Sequence, residues 1–481
     1  MTEHSDRLIE IAFGSRAANA EAAAQASGRV YVRGLGQLAE DHPKATGRRL
    51  TALEALRTYG IEVLAEVGAE GYAKLARAAE VAGRVLKLRR EQLGLDRRHV
   101  ALRAGLPEDV VRAAEESRKL SIRSYERVAR ALGLDERYVS VRPEPEGNER
   151  IAVRLRTIGE ADPRLGAGTV SALAEAAWVA MTQIRLEEEL GLVPPRTGIE
   201  HSNNYGTPGF PAYQWGYQLA ADARSKLGLG AGPILSMRSL AEERLGLPVI
   251  QAELGEAIAG VTIETVSRRA IVINLSGENR HVFVRRATVA HELGHLLYDP
   301  QRSLRDLRVD AYGDLDKPAE ELPDPVEQRA NAFAADFLVP QSEAVTVFRS
   351  AKTDGLGEVM YRFGVSFTAA RYQIWNGIDR KGRLEDLRTE RRAFPAEWEG
   401  RETYTVDYHP IPKLRPTRAG RFGAVAARAA EEGLISWDTA GEWLEVSADE
   451  VRRVVPQLRE LFPAVWSASG RQTRFSGLEI P

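Results

Sequence analysis

The sequence predicts a multidomain, mainly α-helical chain with one α+β portion in its second half. Three observations carry this. The chain has 481 residues, too many for one ordinary core at roughly 100–200 residues per domain. Apolar residues recur at helical spacing through the first 190 residues and again near the C-terminus, the pattern of amphipathic helices. Between those regions lie short β-rich runs, Pro248-Val249-Ile250, Val261-Thr262-Ile263 and Ala270-Ile271-Val272-Ile273-Asn274, which read as a small sheet.

Residues 1–80 are rich in alanine and charge, with Leu50, Leu53, Leu56, Ile61, Leu64 and Leu75 in a helix-compatible pattern. They read as a mostly helical support or oligomerisation region without a chemical motif. Residues 81–142 read as four or five short helices, because Gly94, Gly105 and Gly133 fall where helical stretches should end. The stretch Arg142-Pro143-Glu144-Pro145-Glu146-Gly147-Asn148 reads as a linker. Residues 143–215 form a helical connector, strongest over 170–190, followed by a loop with Pro194-Pro195, Asn203-Asn204, Gly206, Pro208-Gly209 and Pro211. Residues 216–380 form the α+β unit. Helices are expected near 216–226 and 236–245, then the three strands with a turn at Ser267-Arg268-Arg269, then helices near 285–298, 325–338, 355–363 and 366–376. Residues 381–481 form an accessory region with a β-like patch at Glu402-Thr403-Tyr404-Thr405-Val406 and helices from 418 to 461.

Composition narrows the function classes. At 43% hydrophobic and 28% charged residues the chain is globular, and no run approaches the ~18 apolar residues of a membrane span. The N-terminus, Met1 to Arg7, is polar and of mixed charge, unlike a secretory signal. There are no cysteines, which excludes disulfides, thiolate ligands and thiolate nucleophiles and fits the cytoplasm. The formal net charge of −2 is uninformative for the whole chain, so charge is read region by region.

The strongest motif is His291-Glu292-Leu293-Gly294-His295. On a helix, positions i and i+4 share a face, so two imidazoles converge on one ion. Zinc takes nitrogen and oxygen ligands, and a catalytic site leaves a position for water. Glu292 follows the first ligand, where its carboxylate reaches that zinc-activated water as general base. Two surface histidines that bind nothing, and a structural zinc, are the competing readings. The second is weakened because structural sites commonly use cysteine. Only eight histidines are present, which makes chance spacing uncommon.

A third ligand is needed. Glu327 opens a second amphipathic helix about thirty residues on, but a glutamate at a helix start often only complements the helix dipole. Glu320, Glu321 and Asp324 precede it in a proline-bearing loop, and Asp336 faces another side of the helix. Spacing alone leaves these open. Phe333, Phe337 and Leu338 read as core, and Asn331 as a helix-contact residue. Tyr298, His281, Tyr361 and Arg371 are candidates for stabilising an oxyanion. The 270–274 strand could present an edge to a peptide or simply be buried.

The stretches Ala290-His291-Glu292-Leu293-Gly294-His295-Leu296-Leu297, Glu327-Gln328-Arg329-Ala330-Asn331-Ala332-Phe333-Ala334 running to Leu338-Val339-Pro340, and Phe363-Gly364-Val365-Ser366 with Ala369 to Arg371 resemble the ImmA/IrrE metallopeptidases over about 216–380. That resemblance implies a zincin-like fold, Zn2+ as cofactor, and His291, His295 and Glu327 as its ligands. It also implies a repressor-like or antitoxin-like protein substrate, often linked to stress.

Residues 83–139 resemble the Xre/Cro-type helix-turn-helix domain. The first helix covers 84–91, Asp96 to Ala101 open the second, Gly105 makes the turn, and Pro107 to Glu115 take the recognition position. Arg97, Arg98, Arg103, Arg118, Lys119 and Arg123 are candidate DNA contacts. The departure is Pro107-Glu108-Asp109, because carboxylates there face a negatively charged groove. Gly433 to Ser447 has the rhythm of a second small helix-turn-helix, with Ser447 and Glu450 as a capping box.

Two functions follow. One is a cytoplasmic zinc endopeptidase cleaving a regulatory protein. The other is a DNA-binding transcription regulator whose peptidase-like domain senses without efficient cleavage. Helix-turn-helix proteins often dimerise, which makes a homodimer a candidate assembly, but nothing in the sequence sets the oligomeric state.

Overall fold

The computed structural model describes residues 3–14, 17–75, 78–138, 165–192, 210–264, 269–298, 307–311, 322, 324–380, 383–388 and 396–467. The linker at 142–148, the loop at 193–209 and, of the expected turn, Ser267 and Arg268 lie outside these.

The N-terminal region is not all helical. Helices α1 (Glu3–Phe13), α2 (Ala20–Ala26), α3 (Ala52–Tyr59) and α4 (Ile61–Glu70) surround a sheet of β1 (Val30–Arg33), β2 (Gln37–Glu40), β3 (Arg48–Thr51) and β4 (Tyr72–Lys74). All pairings in this sheet are antiparallel, in the order β3-β1-β2-β4. Strands of three or four residues are too short to show the period-two alternation that marks a strand, which is why this sheet is absent from the sequence reading.

Helices α5 (Ala78–Gln92), α6 (Arg97–Ala104), α7 (Glu108–Glu115) and α8 (Ile122–Ala131) follow. Gly94, Gly105 and Gly133 stop the helices at φ of 66°, 63° and 71°, a left-handed conformation that glycine adopts without a Cβ penalty. Asp96 caps α6 by accepting from the His99 backbone N–H at 2.8 Å.

Helix α9 (Ala167–Glu189) is buried on nearly every face, as expected of a helix that is apolar all round. Its Trp178 packs edge-on against Phe422 and Trp443, with ring centroids 5.7 and 6.1 Å away. Those partners come from α16 (Arg421–Glu431) and α17 (Trp437–Leu444), which precede α18 (Ala448–Leu461). The three C-terminal helices therefore share one core with the N-terminal half. Of the capping box expected at Ser447 the serine half is present, its hydroxyl accepting from the Glu450 N–H at 3.1 Å. A buried charge network seals this core. Glu126 takes Arg33 at 3.0 Å and Arg48 at 3.4 Å, while Glu136 accepts the Trp178 indole N–H at 2.9 Å.

The second half is built on α10 (Ala212–Lys226), β5 (Val249–Ala252), β6 (Ile258–Glu264), β7 (Arg269–Asn274), α11 (Val282–Tyr298), β8 (Leu307–Ala311), α12 (Pro325–Leu338), α13 (Gln341–Ser350), α14 (Gly355–Phe363) and α15 (Phe367–Gly377). The sheet runs β5-β7-β6-β8. β5 is parallel to β7, and β6 is antiparallel to both β7 and β8. Val249, Ile271 and Ile273 pack into a second core with α11. Ile250, Val261, Ile263 and Val272 face the first. Burial on both faces explains why these strands read as continuous apolar runs. It also settles the two readings of 270–274: β7 has a strand on each side and offers no edge.

The β-like patch at 402–406 is not a strand. The Glu402 carboxylate is taken by Arg286 at 2.9 Å and by the Met237 backbone N–H, and Thr405–Tyr408 forms a helical turn. Local β-propensity is a weak signal that tertiary contacts override. Arg286 also donates to the carbonyls of Ile234 and Gly364 at 2.6 and 3.0 Å. It thus ties the start of α11 to three other segments.

Candidate metal centre

Helix α11 carries His291, Glu292 and His295, which are 1%, 0% and 0% exposed. It contains leucine, alanine and arginine, all good helix formers, and no proline or interior break. Helix α12 starts where Asp324 accepts from the Val326 N–H at 2.8 Å, with Pro325 in the first turn. That start fixes Glu327 in the first turn, beside α11.

Glycines set the spacing between these helices. A Cβ on Gly294 would lie 2.9 Å from the Phe333 ring, and one on Gly216 of α10 would lie 2.3 Å from the Arg329 carbonyl oxygen. Only glycine lets α11 and α10 approach α12 so closely. Phe333 stacks on Phe337 at 5.0 Å, and both are buried with Leu338, as the sequence predicted.

The three expected ligands converge. His291 Nε2 lies 3.0 Å from His295 Nε2, and Glu327 Oε2 lies 3.2 Å from the first and 3.7 Å from the second. Ligands at ~2.05 Å in a tetrahedron are separated by about 3.3 Å, so this triangle has the size zinc requires. Two imidazoles and one carboxylate are a donor set that zinc takes in catalytic sites. Among the described residues these three form the only group of three or more His, Cys, Asp or Glu placed to hold a metal ion. The other helix acid, Asp336, lies elsewhere: it accepts from the Gln341 backbone N–H at 3.0 Å.

Residues 242–374 match the peptidase family described as the IrrE N-terminal-like domain. The match spans the whole constellation, from β5 into α15. It supports the ImmA/IrrE resemblance and a metallopeptidase-like function for this portion. No curated protein matches the chain.

Glu292 points at the sheet. Its Oε2 accepts the Thr262 hydroxyl at 2.6 Å, and a Cβ on Gly260 would come within 2.4 Å of its Oε1. Neither residue belongs to a motif, so nothing in the sequence marked them.

The oxyanion candidates are dispersed. Tyr298 donates to the Leu219 carbonyl at 3.0 Å, and burial pushes its phenol well above the ordinary value. His281 is exposed, and its place just ahead of α11 puts it almost three turns from His291. Arg371 stacks over Phe367 at 5.1 Å.

The six basic residues named as candidate DNA contacts divide. Arg97 pairs with Glu115 at 2.8 Å, Arg103 with Glu175 of α9 at 3.1 Å, and Arg123 with Asp438 of α17 at 2.8 Å. Arg98, Arg118 and Lys119 are exposed, although Arg118 meets Glu116 at 2.7 Å. The exposed face of α7 carries Glu108, Asp109, Arg112 and, just beyond its end, Glu116. Two arginines named from sequence as DNA contacts are thus engaged in packing this module against the rest of the chain.

Asp336 gives a pH prediction. Burial raises its carboxyl to about 6, above the ~3.9 of an unfolded chain. The folded state then holds the proton more tightly, so the stability is full below about pH 4 and is lost as pH rises through 6. Asp336→Asn keeps an acceptor for Gln341 and removes the charge. Its urea midpoint should exceed that of the wild-type chain at pH 8, by on the order of 2 kcal/mol in stability, with the gap closing by pH 4. Equal midpoints at pH 8 would contradict the assignment.

Proposed function

We propose that this chain is a cytoplasmic zinc endopeptidase that cleaves a regulatory protein of the repressor or antitoxin kind. The observation that carries this reading is the triangle of His291, His295 and Glu327 with Glu292 one residue from the first ligand. Zinc held there would polarise a carbonyl and acidify a water. Glu292 is the proton carrier: it takes a proton from the attacking water and returns it to the leaving amine. Its burial keeps bulk water from competing. The cytoplasmic placement rests on the absence of cysteine, and no described helix is long and apolar enough to cross a membrane.

The helix-turn-helix module supports recruitment to a DNA-associated target more than groove reading by itself. Carboxylates at Glu108 and Asp109 oppose close approach of α7 to phosphates, while Arg98, Arg118 and Lys119 remain able to meet a charged partner. A homodimer through the same module is compatible with this reading.

Elemental mass spectrometry of the purified full-length chain tests the proposal. About one zinc per chain is expected, and chelation should stop proteolysis until zinc is restored. A chain that takes up no zinc at neutral pH would remove the peptidase reading.

A further inference from the structure

The two short side chains of β6 that face α11 are Gly260 and Thr262, and together they make a slot for one carboxylate. Residues two apart on a strand share a face, and on β6 Val261 and Ile263 turn toward the N-terminal core. Gly260 and Thr262 therefore face the other way, onto α11. Gly260 leaves the space in which Glu292 Oε1 lies, since a Cβ there would come within 2.4 Å of it. Thr262 supplies the hydroxyl that meets Glu292 Oε2 at 2.6 Å. Both Thr262 and Glu292 are about fully buried, at 1% and 0% exposure.

Further contacts fix the slot. Thr288, one turn before Glu292, would meet a Gly260 Cβ at 2.9 Å. Its hydroxyl bonds to Asn279 Oδ1 at 2.8 Å. Asn279 donates to the Ala259 carbonyl at 2.8 Å, so the helix and the strand are clamped on either side of the carboxylate. β6 is itself interior, paired to β7 and β8, and cannot drift away from the helix.

We propose that Thr262 is a positioning residue for Glu292. By donating to one carboxylate oxygen it selects the rotamer in which the carboxylate lies in this slot. This rests on the peptidase reading above. A carboxylate on a three-bond side chain has several rotamers, and a base contributes only when held within hydrogen-bond reach of its proton. A charged acceptor bound by a hydroxyl is the stronger class of hydrogen bond, which suits it to select one rotamer. Gly260 is the permissive half of the device, because any larger residue would force the carboxylate out of the slot.

The test uses the full-length chain loaded with zinc and acetohydroxamate as probe. A hydroxamate chelates a metal through both oxygens and passes a proton to an adjacent base, so its affinity reports where Glu292 is held. Thr262→Val replaces hydroxyl by methyl at equal size on a strand that favours β-branched residues. The expected result is a Kd raised about tenfold, with zinc content and thermal midpoint close to wild type. Thr262→Ser, which restores the hydroxyl, should return the Kd to within about threefold. Unchanged affinity in Thr262→Val would overturn the proposal. So would equal damage in Thr262→Ser, which would make the role one of packing, or loss of zinc from Thr262→Val, which would place Thr262 in support of the ligands. A wild-type chain that holds zinc yet does not bind the probe would instead sink the peptidase reading, and the positioning role with it.

Discussion

Glu292→Gln is expected to keep about one zinc per chain and to lose proteolysis by roughly 10²–10⁴-fold. The change is nearly isosteric. The amide oxygen can still accept the Thr262 hydroxyl that now lies 2.6 Å from the carboxylate, so the packing between β6 and α11 should survive. What is lost is the ability to take a proton. The metal ligands are untouched, because His291 and His295 sit on other positions of the same helix and converge with Glu327. The experiment compares proteins that accumulate in cells carrying Glu292→Gln with those in cells carrying the wild-type chain. The accumulating protein is then purified and its cleavage timed with each. Retained cleavage by the glutamine variant would show that another group serves as base. Cleavage by neither, with zinc bound in both, would favour a sensor over a protease.

The second large effect is on the metal itself. Glu327→Ala should weaken zinc binding by more than the roughly 10–100-fold that follows loss of an outer partner of a metal ligand. Glu327 supplies the oxygen that closes the triangle at 3.2 and 3.7 Å from the two imidazoles, and two histidines alone leave half of a tetrahedral shell to water. The fold should tolerate the change. Glu327 is partly exposed, at 15%, and α12 remains held by its cap and by Phe333 and Phe337 in the core. Zinc affinity by competition with a chromogenic chelator, beside a thermal melt of the metal-free proteins, separates the two outcomes. An unchanged affinity would exclude Glu327 as a ligand. A collapse of the metal-free melt would make it a structural residue instead.

Much of the site was legible because its chemistry is local. His291, Glu292 and His295 lie within five residues, and helix geometry alone puts the two imidazoles on one face. Glu327 was legible only as one of several acids until the resemblance singled it out, since its nearness to the histidines depends on how α12 crosses α11. The bounds of α12 and α14 were also legible, since the expected helices at 325–338 and 355–363 are the ones that form. The helix ends at Gly94, Gly105 and Gly133 were legible for the same reason, because these glycines act through their own backbone.

Other features are decided by contacts far apart in the chain. The sheet of β1 to β4 brings together strands of three or four residues from 30 to 74, none long enough to announce itself. Arg103 and Arg123 look like free basic residues in sequence, yet Glu175 and Asp438, 72 and 315 positions away, take them. Glu402 sits in a run with strand-like composition, but Arg286 captures it from 116 residues away. Thr262 and Gly260 belong to an ordinary apolar strand until α11 is laid across it.

By itself, then, the sequence determined the His-Glu-x-x-His pattern of candidate metal ligands, the helix punctuation and the exclusion of thiol function, because each depends on residues close enough to interact through one helix turn or on composition. The tertiary structure decided which acid completes the triangle, which arginines are engaged within the chain, and what holds the Glu292 carboxylate. Those depend on burial and on the crossing of distant elements, where charges pair because leaving them unpaired out of water costs too much.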